Sequence, residues 1–189
     1  MDTDFSIELG ADDPVLDFPW EDPSGKFGFV DLKRHPEWIA QIGEAEQFPE
    51  LKEFLRTLNS PRSLFETAKC DAWATTELSP EEEIYNAAHK FASYVDVVFS
   101  EIDARRSLSH HQQFVKNFAE LLRRAPEIPS SAEACVRRCF FGGASAVQEG
   151  CYVTLYVSGY GSDEASARQS WGVGLKLVGN AMVQLSRAG

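Results

Sequence analysis

Glu149–Leu185, EGCYVTLYVSGYGSDEASARQSWGVGLKLVGNAMVQL, is the stretch whose reading decides the fold class. Cys151–Ser158 is dense in β-branched and aromatic residues, which suit a pleated, largely buried strand. Gly159-Tyr160-Gly161 is expected to break that strand. Asp163 and Glu164 then stand where a helix N-terminus favours negative charge. From Trp171 the residues Trp171, Leu175, Val178, Met182 and Leu185 step by four, three, four and three, which is one face of a helix. Val173, Leu177 and Ala181 widen the face, and Lys176 is the only charge between Arg168 and Arg187. A helix so apolar must be covered on most sides, by its own sheet or by a second subunit.

Immediately upstream, Ser130–Phe141 fits two structures. Ala132, Cys135, Val136, Cys139 and Phe140 would share a helix face, with Ser130 and Glu133 as its cap. A strand hairpinned through Gly142–Gln148 onto Cys151–Ser158 is the other reading. An internal echo favours the strand: Tyr94–Ser100 (YVDVVFS) matches Tyr152–Ser158 (YVTLYVS) at an offset of 58 residues, with tyrosine, valine and serine repeated. Phe91–Phe99 is accordingly a strand, with Phe91, Val95, Val97 and Phe99 facing inward. Leu64–Leu78 reads as its partner, with small residues at Ala68, Cys70, Ala72 and Ala74 that let a helix pack close. Ser79-Pro80-Glu81-Glu82 is a capping box opening a short helix. Ser109 with Gln112 starts a longer one, with Phe114, Phe118, Leu121 and Leu122 toward the core.

Nearer the amino terminus, His35-Pro36-Glu37 and Pro49 mark two short helices over residues 36–58. Phe5–Leu9 alternates like a short edge strand, and Phe27–Leu32 (FGFVDL) reads as a second one. Between them Gly10–Lys26 is an irregular arm, whose Val15, Leu16, Phe18 and Trp20 should anchor it on the domain or on a neighbouring subunit. The expected architecture is therefore α+β: an antiparallel four-stranded sheet made of two strand–strand–helix units (64–125 and 131–187), helices mainly on one face. An acidic arm (1–34) and the helices of 36–58 pack around it in one domain over 35–189. A ferredoxin-like βαββαβ arrangement with added elements, using Phe27–Leu32 as its first strand, is the alternative.

The net charge of −11 is unevenly placed. Residues 1–83 carry 20 acids and 7 bases, and residues 84–189 carry 9 acids and 11 bases, so the amino-terminal part alone is strongly acidic. Nucleic acid is disfavoured as a partner, because phosphate binding needs a basic field. No apolar run reaches the roughly 18 residues of a membrane span. With no signal sequence visible, a cytoplasmic location is expected. Cys135 and Cys139 on one strand face would lie about 13 Å apart, too far to bond or share a metal. Buried free thiols are the expectation for all four cysteines, with no metal and no cofactor.

Catalytic signatures are absent: there is no G-x-S-x-G, H-E-x-x-H or C-x-x-C. Gly159-Tyr160-Gly161 gives half of a dinucleotide fingerprint, but Glu164 takes the third glycine's place and would repel a pyrophosphate. Of the four histidines, His35 belongs to a helix start, His110 and His111 should be exposed on a first turn, and His89 precedes a strand. Arg137 and Arg138 on a strand point to opposite faces, so one must meet a carboxylate or an anionic ligand, with Asp96, Glu66 or the acidic arm as partners.

The candidate ligand-binding residues are thus His89, Tyr94, Arg137, Arg138, Tyr152 and Tyr160. The candidate interface residues are Trp20, Trp171, Gly172, Leu175, Gly179 and Met182. A non-catalytic binding or regulatory domain that forms a homo-oligomer and holds a small molecule is the leading functional reading. An acidic inhibitor of a basic protein partner stands second. A small enzyme using His89 with a tyrosine or Arg138 stands third.

Overall fold

The computed structural model describes residues 1–142 and 147–188 and has α+β architecture. Its strands are β1 (Asp2–Glu8), β2 (Val15–Phe18), β3 (Phe65–Thr75), β4 (His89–Phe99), β5 (Ser130–Phe141) and β6 (Gln148–Gly161). They form one six-stranded sheet in the order β1-β5-β6-β4-β3, and β2 prolongs the β1 edge along β5. The helices are α1 (Gly43–Gln47), α2 (Pro49–Leu58), α3 (Ile102–Arg106), α4 (Leu108–Leu122) and α5 (Glu164–Ala188), with 3-10 segments at Pro36–Gln41 and Pro80–Tyr85. Residues 143–146 of the expected hairpin turn lie outside the described residues.

The expected purely antiparallel, four-stranded sheet is incorrect. β3, β4, β6 and β5 are antiparallel neighbours, but β1 and β2 both run parallel to β5, so the sheet is mixed. Alternation with period two is the same in parallel and antiparallel strands, so the sequence of β1 carries no record of its direction. The ferredoxin-like alternative fails as well. Residues 27–32 form no strand; Gly28 makes one isolated bridge to Glu21, and Phe29 packs against Phe18 at 4.7 Å between ring centroids.

Alternation along β4 sends Phe91, Ser93, Val95, Val97 and Phe99 toward the helices, where the main core lies. α5 crosses β6 and β4, with α2 and α4 packed beside it. Trp171 is fully buried, lies 4.6 Å from Phe91 between ring centroids, and donates Nε1–H to Ser93 Oγ at 2.8 Å. Burying a side chain of this size contributes about 3 kcal/mol. The glycines expected to end β6 do not end it. The strand runs through Gly161, and a methyl at Gly159 would overlap the backbone of Ala167 and Trp171. Bare backbone there lets the first turns of α5 lie directly on the strand.

Two local features shift side chains from their expected places. A bulge between Thr67 and Lys69, held by Asn59 Nδ2 donating to Thr67 Oγ1 (2.7 Å) and Thr67 N–H donating to Asn59 Oδ1 (3.0 Å), interrupts the alternation of β3. Ala68 consequently packs on the helix-free face, whereas Ala72 packs in the helix-side core. α4 is capped by Ser107, not Ser109, through Ser107 Oγ accepting the His110 N–H. The earlier start turns His111 inward, fully buried with its ring 4.9 Å from Phe99, so the expectation that it is exposed is corrected.

The arm supplies two strands and anchors on the chain's own sheet. Leu16 and Phe18 pack with Ala68, Val98, Cys139, Phe141 and Tyr152 in a second, smaller core on the helix-free face. Trp20 donates Nε1–H to the Ala68 carbonyl at 2.6 Å, and Lys69 Nζ lies 4.8 Å from its ring centroid. This covers part of the β3 edge, whose unpaired backbone would otherwise invite other strands.

Candidate functional site

On the helix-free face the register of five strands lines up a row of mostly small side chains. Trp73, Ala92, Ser158, Ser131 and Asp2 are successive cross-strand neighbours from β3 to β1. The next row toward the sheet centre is Asp71, Tyr94, Tyr156, Glu133 and Asp4. On the other side stand Lys90 and Tyr160, backed by the 3-10 segment Pro80–Tyr85. Small residues between two taller rows make a groove, here a cavity of about 400 Å³. Four strand spacings of about 4.8 Å give its floor a length of about 19 Å.

The walls are held before any ligand arrives. Tyr85 stacks on Tyr160 with ring centroids 4.0 Å apart and donates its hydroxyl to the Ser130 carbonyl at 3.3 Å. Tyr160 donates its hydroxyl to Glu82 Oε1 at 2.7 Å and lies 2.9 Å from Ser131 Oγ. Glu82 also accepts from Lys90 Nζ at 2.5 Å and from the Ser79 N–H at 2.8 Å, the latter as the capping box legible in the sequence. Burial acts to raise the Glu82 pKa, but these hydrogen bonds outweigh it and hold the carboxyl below its ordinary value. Burial, with Asp2 and Glu82 nearby, pushes the Tyr85 hydroxyl up to about 12. Burial and Glu82 likewise raise Tyr160. Both hydroxyls therefore stay protonated and act as hydrogen-bonding groups.

Beside the groove a polar network closes the centre of the same face. Arg137 donates Nε–H to Glu8 at 2.8 Å and Nη1–H to Thr154 Oγ1 at 3.0 Å and to the Tyr156 hydroxyl at 2.9 Å. The Thr154 hydroxyl in turn donates to Asp96 Oδ1 at 2.6 Å. Asp96 is only 6% exposed, and burial lifts its pKa to about 6 despite the Thr154 hydrogen bond and the Arg137 and Lys69 charges. The carboxylate that Arg137 takes directly thus comes from the acidic arm. Asp96 is reached through Thr154, and Glu66 pairs instead with Arg105 at 3.1 Å.

No protein-family model, curated protein or solved structure matches this chain.

Of the residues proposed from sequence for ligand binding, Tyr160 lines the groove, and Arg137 fixes its Tyr156 wall. Tyr94 stands in the wall row and also lines a second cavity of about 640 Å³ under the arm, with Trp20, Phe27, Phe29 and Cys70. Tyr152 is buried in the small core. Arg138 donates to the Gly10 carbonyl at 2.7 Å. His89 opens β4 opposite Gly161 and does not line the groove. Trp73, Ala92, Ser131 and Ser158 carry no sequence signal of their own, because only the register brings them together, and Tyr85 joins them from the 3-10 segment by stacking on Tyr160. A hint lay in the tall–small alternation of Tyr156-Val157-Ser158-Gly159-Tyr160, two tyrosines flanking one serine on a single strand face.

The residues proposed for a subunit contact are largely spent inside the chain. Trp171, Leu175 and Met182 are buried in the helix-side core. Gly172 and Gly179 lie against Glu50 and Phe54 of α2, and Trp20 is the anchor on β3. The sequence presented that face as needing cover, and the sheet and α2 provide it.

The titratable groups that line the groove are carboxylates, tyrosines and Lys90. None of the four histidines lines it. All four cysteines are free thiols, and burial raises each, Cys70 and Cys139 to about 12 and Cys135 to about 11, which removes thiolate character. Among the described residues no group of three or more His, Cys, Asp or Glu is placed to hold a metal ion, and no helix is long and apolar enough to cross a membrane.

Proposed function

We propose that this chain is a non-catalytic binding domain that holds its ligand in the groove across the helix-free face of the sheet. The observation that carries the reading is the row Ala92, Ser158 and Ser131 lying low between tyrosine walls that are already hydrogen-bonded. A preformed site loses little freedom on binding, so its contacts go into affinity. Neither the raised tyrosines nor the raised thiols offer a base or a nucleophile near neutral pH. The four free thiols fit a reducing, cytoplasmic compartment.

The test is a thermal-shift screen of a diverse library of small metabolites, each at 1 mM on the order of a weak Kd, run on the parent and on Ala92→Leu. Leucine at 92 fills the groove from its floor and leaves the helix-side core alone. The reading expects compounds that raise the parent Tm and not that of Ala92→Leu. It is overturned if no compound raises the parent Tm, or if those that do raise the variant equally. Ser131→Leu blocks the same floor from β5 and serves if Ala92→Leu does not fold.

A second reading, an acidic protein covering a basic partner, is favoured by the carboxylates that β1 contributes to the groove rim. Truncating the arm cannot test it, since residues 1–25 hold β1 and β2 of the sheet. Asp2→Lys with Asp4→Lys reverses the two β1 charges and cancels the net negative charge of the groove. Pull-down of a basic protein that survives this reversal contradicts the reading.

A further inference from the structure

We infer that the groove takes an alkylammonium group, its charge at the Asp2–Asp4–Glu133 end and its carbon chain along the small-residue floor toward Trp73. This rests on the binding reading above and names its ligand class. The groove is lined by five carboxylates, Asp2, Asp4, Glu81, Glu82 and Glu133, against a single ammonium, Lys90. Lys90 is already paired with Glu82 at 2.5 Å, so the groove has no free cation to receive an anionic ligand.

The charge and the apolar surface are segregated along the floor. Asp2 lies at its β1 end, Asp4 and Glu133 are neighbours one row away, and Trp73 lies at the β3 end with 39% of its surface exposed. Between them Ala92 and Ser158 leave room for a methylene chain, walled by the Tyr156 and Tyr160 side of the groove. A cation desolvated beside the tyrosine rings gains from their negative faces, and carboxylates at one end fix its orientation. An anion would meet like charge, and a neutral chain would bring no charge to Asp2, Asp4 and Glu133, which accept only neutral donors from Thr3, Phe5 and Ser6.

An alkylammonium can come from a free linear amine or from a lysine side chain of another protein. The experiment is calorimetric titration of the parent at low ionic strength with four probes: 1,4-diaminobutane, N-acetyl-lysine methylamide, 1,4-butanediol and succinate. Both ammonium probes or either one should bind, and the stronger names the source. The diol should bind at least about tenfold more weakly, and succinate not at all. Raising the salt should weaken the ammonium probes, since Asp2 and Asp4 are exposed. Asp4→Asn and Glu133→Gln should each cost about threefold to tenfold.

The inference is overturned if the diol or succinate binds as well as the stronger ammonium probe, or if Asp4→Asn and Glu133→Gln leave the ammonium affinity unchanged. It is overturned too if neither ammonium probe binds. In these cases the groove itself is judged by the library screen: a neutral or anionic compound blocked by Ala92→Leu keeps the binding reading and removes only the cation.

Discussion

Asp96 gives the sharpest quantitative consequence of the fold. It stands at the middle of β4, faces Thr154 across the β4–β6 ladder, and is almost entirely removed from water. Its pKa rises from 3.8 to about 6, first because burial disfavours the charge, with the Thr154 hydrogen bond and the Arg137 and Lys69 charges recovering only part of the loss. At about 1.4 kcal/mol per pH unit the change comes to about 3 kcal/mol. Its sign follows from linkage: a raised pKa means that the native state holds the proton more tightly than the unfolded chain. The stabilising contribution of protonated Asp96 is therefore complete below pH 4, is lost between about pH 4 and pH 6, and is absent above.

Asp96→Asn keeps an oxygen to accept from Thr154 and removes the ionisation. Urea unfolding of parent and variant, followed by tryptophan fluorescence at several values from pH 4 to pH 7.5, isolates the effect. The other carboxylates titrate in both proteins and cancel in the difference. The stability of Asp96→Asn relative to the parent should rise by about 2–3 kcal/mol between pH 4 and pH 7, with most of the change below pH 6.5. A difference that stays constant within about 0.5 kcal/mol across this range would refute the reasoning.

Gly159→Ala places a methyl against the backbone of α5, where no side chain can swing aside. The cost should be about 3 kcal/mol or more, seen as a large drop in Tm; a Tm within about 2 °C of the parent would mean that α5 does not sit on the strand as described. Arg137→Met leaves Glu8, Thr154 and the Tyr156 hydroxyl without their donor, so it should cost about 2–3 kcal/mol at pH 7. Combining it with Glu8→Gln should cost less than the sum of the two single changes, and strict additivity in that cycle would deny the pairing. Trp20→Phe keeps an aromatic ring, smaller than the indole, and loses the bond to the Ala68 carbonyl. About 1 kcal/mol of stability should go, together with faster limited proteolysis in residues 10–30; an unchanged cleavage rate would remove Trp20 as the anchor.

What the sequence disclosed was governed by local patterns. β4, β6 and the Trp171–Leu185 face of α5 stand out because β-branched density and a 3.6-residue period survive in any tertiary setting. β5 was ambiguous, and the echo between Tyr94–Ser100 and Tyr152–Ser158 pointed to a strand. Its 58-residue offset is also the separation of Asp96 and Thr154, which face each other at the centre of the sheet. Long-range pairing was not legible. Asp2–Glu8 meets β5 nearly 130 residues away, and nothing in its own alternation records a parallel neighbour. Val15–Phe18 shows its anchoring apolar residues but not its pairing to β5, and in FGFVDL Phe29, Val30 and Leu32 pack without a ladder while Phe27 stays exposed.

Glycine is the other residue whose role depends on a distant partner. Gly159 and Gly161 carry the composition of a turn, yet their role is to bring a helix onto a strand. That cannot be told from a turn before the partner is known. The groove shares this difficulty, for an alanine and two serines are unremarkable until register sets them in one row beside Trp73 and Asp2.

The most direct test of the central claim is location. Amide ¹H–¹⁵N correlation spectra of the parent should be recorded against a fragment library that mixes cations, anions and neutral compounds. Hits should concentrate their shift changes on Trp73, Ala92, Ser131 and Tyr156–Tyr160, and lose them in Ala92→Leu. Hits that gather instead around Phe27, Ile42 and Cys70 under the arm, or that scatter with no common site, would contradict the account.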